Sequence, residues 1–340
     1  MHKIIEIMKS KVDKELKVRA AAIGVLFFIT VLILVFTVRF AGSEDAEDYN
    51  IVLITKVVDS GNDFWTSLID GAKLCAEEYG AVLHVAGASS EKDVEGQKIF
   101  IEKAMEMSPD ALVISPSSYT CMTQLLKEVK EKGIKLILID SVIDEDIADG
   151  LVSTDNFLAG KALGEYAKEN MEGSEKIGII AHVRGSSTAI QREAGIKEGL
   201  GKYEKNVVST RFCGSSYDEA YAITKNLLED HPDVKVVFGT NEYASVGAAR
   251  AVHDSRREDV HVYGFDNSIE EIQLLEQGVF DAIVIQKSFN MGYLGIEQAV
   301  LSIDGHEIEE YINSGFKLID KNNMYEDENQ RLLYPFTGQK

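Results

Sequence analysis

Short apolar runs rich in β-branched residues recur along this chain, at residues 50–54, 81–85, 111–114, 135–139, 176–180, 234–238, 260–263 and 282–285. Several are continuously apolar, as strands buried on both faces of a sheet are. Between most of them lie helical patterns. The first places Trp65, Leu68, Ile69, Ala72 and Cys75 at three- and four-residue spacing, with Asp70, Lys73, Glu77 and Glu78 on other faces. Others are expected over about 94–107, 157–171, 188–203, 218–228 and 243–252. Strand alternating with helix means a parallel sheet covered by helices, and some eleven strand candidates exceed what one such domain usually carries. The fold class expected is α/β, with two doubly wound parallel-sheet lobes.

Composition narrows the function. With 35 Lys and Arg against 56 Asp and Glu, the net charge of −21 offers no electrostatic footprint for a phosphate backbone, so no nucleic-acid partner is expected. The three cysteines, Cys75, Cys121 and Cys213, are far apart and form no CxxC, so neither a disulfide framework nor a zinc site is indicated. The seven histidines form no spaced motif, and neither HExxH nor a GxSxG elbow occurs, so no enzyme, cofactor or metal is expected.

Residues 20–38 are nineteen uncharged, mostly apolar positions, long enough for a helix to cross a bilayer core of about 30 Å. They read as a spanning helix or a signal sequence. Residues 1–19 hold six Lys and Arg against three acids, which keeps the N-terminus cytoplasmic. The stretch is longer than the apolar part of a cleaved signal, and Arg39-Phe40-Ala41 is a poor cleavage site. The expectation is one uncleaved transmembrane signal anchor over 20–38, after a cytoplasmic basic segment and before a linker over 39–48. Everything beyond would then lie on the extracellular (or periplasmic) face of the cell membrane.

In open parallel sheets, ligands bind outside the carboxyl ends of the strands. The positions after the strands here collect amide, carboxylate, guanidinium and aromatic groups: Lys56, Asn62, Phe64, Trp65 and Asp140 in the first half, and Arg192, Asn241, Phe265, Asp266 and Gln286 in the second. Planar polar side chains that bond two hydroxyls at once, with aromatics that pack on a ring, are what a sugar requires. Taken alone, an Asp at a strand end is more often a helix cap or turn former than a ligand contact, and an aromatic there is more often core. Their coincidence at strand ends across both halves points to a small polyhydroxylated ligand.

The motifs Gly61-Asn62-Asp63-Phe64-Trp65, Leu138-Ile139-Asp140-Ser141, Ser153-Thr154-Asp155-Asn156, Gln191-Arg192-Glu193-Ala194-Gly195, Gly239-Thr240-Asn241-Glu242, Gly264-Phe265-Asp266-Asn267 and Ile285-Gln286-Lys287 occur in this order. In this the chain resembles the type I periplasmic solute-binding proteins of the ribose and galactose kind, receptors of sugar ABC transporters, over about residues 49–320. The resemblance implies a three-strand hinge, with crossings near residues 153–155, 286–288 and 313–316. Its lobes would be 49–154 plus 287–314 and 155–286 plus 315–324, followed by a C-terminal tail over 325–340 that packs across the lobes or hinge. It implies sugar contacts from Asn62, Trp65 and Asp140 on one lobe, and from Arg192, Asn241, Phe265, Asp266 and Gln286 on the other lobe or hinge. The function implied is capture of a small sugar between closing lobes and its presentation to an ABC permease. The alternative is a membrane-anchored sugar sensor signalling to a histidine kinase.

Two departures stand out. Asn62-Asp63-Phe64-Trp65 replaces the family's usual Asn-Pro-Phe-Phe, and Lys56 stands where a short polar residue is frequent. Lys56 either meets a ligand carboxylate or pairs with a nearby aspartate. The segment Asp320-Lys321-Asn322-Asn323 lacks the central Gly and distal Glu of a calcium loop, so no metal is expected there.

Overall fold

The computed structural model describes residues 49–334 together with Thr30. The expected anchor over 20–38 and its flanks therefore lie outside the described residues, as does the end of the tail. No helix among the described residues is long and apolar enough to cross a membrane.

The first sheet contains β1 (Asn50–Val57), β2 (Val82–Ala88), β3 (Ala111–Ile114), β4 (Lys135–Ile139), β5 (Gly150–Ser153) and β11 (Tyr311–Asn313), in the order β11-β5-β4-β3-β1-β2 with every pairing parallel. The second contains β6 (Lys176–Ala181), β7 (Val207–Phe212), β8 (Val234–Gly239), β9 (His261–Phe265), β10 (Phe280–Gln286) and β12 (Phe316–Asp320), in the order β12-β10-β9-β8-β6-β7. Only its edge strand β12 is antiparallel. Apart from that strand the two orders are the same, so β1 corresponds to β6 and β4 to β9. In each sheet the chain starts inside, at β1 or β6, and winds outward both ways. The carboxyl ends on either side of that starting strand form the crevice where a doubly wound sheet binds its ligand. The two-lobed α/β architecture expected from the alternating runs is the one observed.

The central strands are apolar throughout because helices cover both faces. In the first lobe, α1 (Asp63–Tyr79) and α9 (Ser288–Ile303) pack with Leu53, Val113 and Ile137 on one face. On the other face α2 (Val94–Met107) and α3 (Thr123–Glu131) cover Val52, Ile54 and Leu136. In the second lobe, α4 (Asn156–Glu169) and α5 (Ser187–Leu200) lie on the face of Ile179, Phe238 and Val284. The opposite face, with Ile180, Val237 and Ile283, is covered by α6 (Tyr217–Asp230), α7 (Glu242–Asp254) and α8 (Ile269–Gln277). The α1–α9 pair is in backbone contact: a Cβ on Gly71 would fall 2.0 Å from the Phe289 carbonyl oxygen, and one on Gly292 1.9 Å from that of Leu68.

The chain passes between the sheets three times: after β5, after β10, and between β11 and β12. Short side chains and backbone bonds tie two of these passages together. Ser314 N–H donates to the Ser153 carbonyl at 3.0 Å, and the Thr154 and Ser314 hydroxyls meet at 3.3 Å. The described part of the tail, with α10 (Asp327–Leu333), differs from the expectation of a segment crossing lobes or hinge. Leu333 is buried in the second lobe's core, as is Met324 just before the tail, and Asn267 Nδ2 donates to the Leu332 carbonyl, so the described tail is seated on that lobe.

Candidate functional site

A small cavity lies between the lobes. Its walls come from strand ends and helix starts of both sheets. Of the ten residues singled out in the sequence, nine line it: Lys56, Asn62, Phe64, Trp65, Asp140, Arg192, Asn241, Asp266 and Gln286. Phe265 does not. Its ring is fully buried as part of the second lobe's core, and the Arg192 guanidinium sits 4.5 Å from its centroid, so it supports a wall residue from behind.

On the first lobe, Lys56 Nζ donates to Asp140 Oδ2 at 2.7 Å and to Thr188 Oγ1 of the opposite lobe at 3.3 Å. Lys56 thus pairs with an aspartate while also lining the cavity. The Ser115 and Ser141 hydroxyls donate to the same Asp140 oxygen, at 2.9 and 2.7 Å. Burial alone would raise the Asp140 carboxyl, but the Lys56 and Arg192 charges overcome it and hold it below the ordinary aspartate value. Asn62 caps α1, its Oδ1 accepting from Trp65 N–H at 3.0 Å.

On the second lobe, Arg192 donates through Nε to Asn156 Oδ1 at 2.7 Å and through Nη1 to the Thr240 carbonyl at 2.8 Å. These two bonds fix the plane of the fork and aim its remaining N–H groups at the cavity. Asp266 accepts from Gln286 Nε2 at 2.7 Å and from Glu242 N–H at 2.8 Å. Its pKa moves opposite to that of Asp140. Burial pushes it up, and although Arg192 counters, its nearest donors are an amide and a backbone N–H rather than an ammonium. Gln286 Oε1 is buried without a partner in the protein, an acceptor left for whatever fills the cavity.

Three lining residues escaped the sequence reading: Glu91, His182 and Thr188. Glu91 follows β2 in the polar stretch Ser89-Ser90-Glu91-Lys92-Asp93, which reads as a solvated turn, yet it is 5 % exposed. Its carboxylate accepts the Trp65 indole N–H at 2.7 Å and the Ser215 hydroxyl of the other lobe. Burial raises its pKa against the lowering pull of Lys56. His182 follows β6, with its ring nitrogens 2.8 Å from the Thr240 and Thr188 hydroxyls. Burial first, then the Arg192 and Lys56 charges, push it well below the ordinary histidine value, so it is a neutral wall. The residues after β6 correspond to those after β1, and that position in the topology was the signal available for finding His182.

The lobes meet on both sides of the cavity. Tyr119 N–H donates to the Gly185 carbonyl at 2.8 Å, Val142 N–H to Ser187 Oγ at 3.0 Å, and the Tyr243 hydroxyl to Asp59 Oδ2 at 2.7 Å. The site is thus enclosed, polar and flanked by two aromatic rings, Phe64 and Trp65, set edge-on at 4.9 Å. Binding is what the arrangement can do.

Comparison with known proteins agrees. The chain is 26% identical over 290 residues to the D-ribose/D-allose-binding protein of Pseudomonas aeruginosa, covering 82% of this chain and 90% of that protein. It is 26% identical to the ribose import binding protein of Escherichia coli, over 76% of this chain and 87% of its relative. Among solved structures, a sugar transporter from Clostridium phytofermentans superposes with a TM-score of 0.77 at 39% identity, over 80% of this chain and 99% of that one. A carbohydrate transporter solute-binding protein from Agrobacterium radiobacter, in complex with D-arabinose, gives a TM-score of 0.80 at 26% identity, over 84% and 99%. The model of the periplasmic binding protein domain matches residues 51–307, and with it the enclosed two-lobed site places this chain in the periplasmic binding protein family, as a binding protein and not an enzyme.

Proposed function

We propose that the chain captures one small uncharged sugar between its lobes and presents it to an ABC permease. The observation that carries this reading is the enclosed cavity in which a guanidinium, two aspartates, three amides and an aromatic pair converge from both sheets. Relatives named for ribose and allose binding, and a similar structure holding D-arabinose, support the ligand class. The uncharged ligand follows from the use of Lys56, whose ammonium is bonded to Asp140 and Thr188 and so answers a carboxylate already in the protein. The moving bodies are residues 49–154 plus 287–314 and 155–286 plus 315–324, hinged at the three passages. Closure expels water and strengthens each polar contact. Residues 20–38 hold this receptor at the outer face of the cell membrane, within reach of its permease.

The test is thermal unfolding of the full chain with a panel of pentoses, hexoses, polyols, sugar acids and sugar phosphates. A ligand at 100 times its dissociation constant stabilises the native state by about 2.7 kcal/mol. A shift from one or a few neutral sugars, lost in Arg192→Ala, is expected. Shifts from acids alone would overturn the uncharged assignment, and no shift from any member would overturn the sugar itself.

A further inference from the structure

Beside the cavity, each lobe caps the start of a helix that belongs to the other. Glu242, the first residue of α7, reaches across so that its Oε2 accepts the backbone N–H groups of Asp63 at 3.1 Å and Phe64 at 3.3 Å, in the first turn of α1. In return, Asp63 Oδ2 accepts the N–H of Ile269, the first residue of α8, at 3.1 Å. These N–H groups belong to first turns, where an α-helix has no partners of its own and its dipole favours an acid. The second oxygen of Glu242 accepts the Tyr217 hydroxyl, whose oxygen also lies 3.3 Å from the Gly61 carbonyl. The backbone N–H of Glu242 donates to Asp266, so this crossing adjoins a cavity carboxylate directly.

We propose that Asp63 and Glu242 are positioning residues that latch the lobes together, setting how long a ligand stays enclosed without touching the ligand themselves. The reciprocal geometry makes the contact all-or-none: opening the cleft removes the cross-lobe partners of both helix starts and both carboxylates at once. The proposal takes the two-lobe closure of the functional reading as given, but it does not depend on which ligand is bound.

The latch carries its own pH dependence. Glu242 is 1 % exposed and faces Tyr217 of α6, Asp266 at the end of β9, Glu271 of α8 and Asp63 of α1. Arg250, on its own helix, lies over the Tyr217 ring and is bonded to Glu270. None of the ion pairs among the described residues includes Glu242. Burial first, with the neighbouring Asp266 and Asp63 charges adding to it, pushes its carboxyl up to about 8. In an open cleft it is hydrated and titrates as an ordinary glutamate near about 4.3. The closed form therefore takes up a proton. Closure is strongest below the open-state value and weakens as pH rises, by up to about tenfold in its equilibrium constant per pH unit until about pH 8.

The experiment is single-molecule energy transfer on the full chain without sugar, from pH 5 to 9, with labels at Lys132→Cys and Glu258→Cys in a Cys121→Ser background. The two label sites are exposed, one on each lobe. The closed fraction is expected to fall with pH in the parent, to fall less steeply in Glu242→Gln because Glu91 still titrates on closure, and to drop at every pH in Asp63→Pro. Proline suits this position: it opens a helix behind an extended residue, Asn62, and it removes both the N–H and the carboxylate. Asp63→Asn, which keeps both bonds, should behave as the parent and so exclude a mere folding defect. A parent closed fraction that is constant with pH, an unchanged pH profile in Glu242→Gln, or parent-like closure in Asp63→Pro would each overturn the latch. Absence of any sugar effect on the same labels would instead overturn the ligand reading and leave the latch standing.

Discussion

Asp140 and Asp266 occupy equivalent stations in the two lobes, each following the corresponding strand, β4 or β9, and each with a left-handed backbone, at φ 62° and 83°. Few residues tolerate that region, and aspartate and asparagine are among them because a short polar side chain can bond locally. Both lobes thus present a carboxylate to the cavity from a turn that a larger or β-branched residue would strain.

That equivalence separates binding from folding in a mutational test. Asp140→Asn and Asp266→Asn keep the tolerated backbone and should lower sugar affinity by tenfold or more while costing under about 1 kcal/mol of stability through the backbone. The alanine variants should add about 1–2 kcal/mol of backbone strain to the same loss of binding. Calorimetric titration and urea unfolding on each pair give both numbers. Equal stability of the asparagine and alanine variants would show that the left-handed turn stores no strain.

Removing Lys56 should damage the protein more than removing its partner. Lys56→Met leaves Asp140 buried without its cation, a loss of about 3–5 kcal/mol for a pair in which both side chains are 4 % exposed. With its lowered pKa, Asp140 contributes stability that is present above the ordinary aspartate value and lost only as pH falls through its folded value. In the variant that carboxyl moves up and can be neutralised, so the deficit should shrink between pH 7 and pH 4.5. Lys56→Met with Asp140→Asn should recover most of it. Urea midpoints at the two pH values check this, and a deficit unchanged at low pH would contradict it.

Trp65 is the only tryptophan in the chain and forms part of the cavity wall. Its emission should therefore report ligand directly, shifting or quenching on titration with the sugar that stabilises the fold. Glu91→Ala frees the indole N–H, which is now bonded at 2.7 Å, and severs the carboxylate bridge to Ser215. The variant should show an altered baseline spectrum and at least tenfold weaker binding, whereas Glu91→Gln should keep most of both because its carbonyl still accepts. An Ala variant with the parent's spectrum and affinity would remove Glu91 from the site.

The glycine contacts between α1 and α9 yield a stability prediction far from the cavity. Gly71→Ala or Gly292→Ala must push two helix backbones apart, an overpacking of about 1–3 kcal/mol or more. Denaturant midpoints should fall while sugar affinity, measured at a temperature where the variant is folded, stays near that of the parent. An unchanged midpoint would mean that the helices are further apart than described.

Much of this architecture was legible because its strands are buried on both faces. Runs such as Ile51-Val52-Leu53-Ile54 carry no polar side chain to blur them. β7 was less visible: Val207–Phe212 is only half buried, and Ser209, Thr210 and Arg211 interrupt its apolar pattern. In the site, polar residues directly after apolar strands announced themselves. Glu91 did not, because a glutamate among Ser, Lys and Asp looks solvated until a residue from the other lobe, Ser215, closes over it. Glu242 was hidden differently, since an acid opening a helix already has a local reason to be there. Its cross-lobe partners, Asp63 and Phe64, lie far away in sequence and meet it only through the fold.

The three passages between the sheets also fix the order in which the protein can be completed as it leaves the ribosome. Nearly all of the second lobe is inserted between β5 and α9 of the first, and the last strand of each sheet, β11 and β12, lies beyond residue 310. Until those final segments emerge, both sheets lack their last strand, and α9, the helix that packs against α1, is itself made only just before them. The two halves of this receptor therefore mature together, at the end of synthesis, and a chain cut short before β11 leaves neither lobe finished.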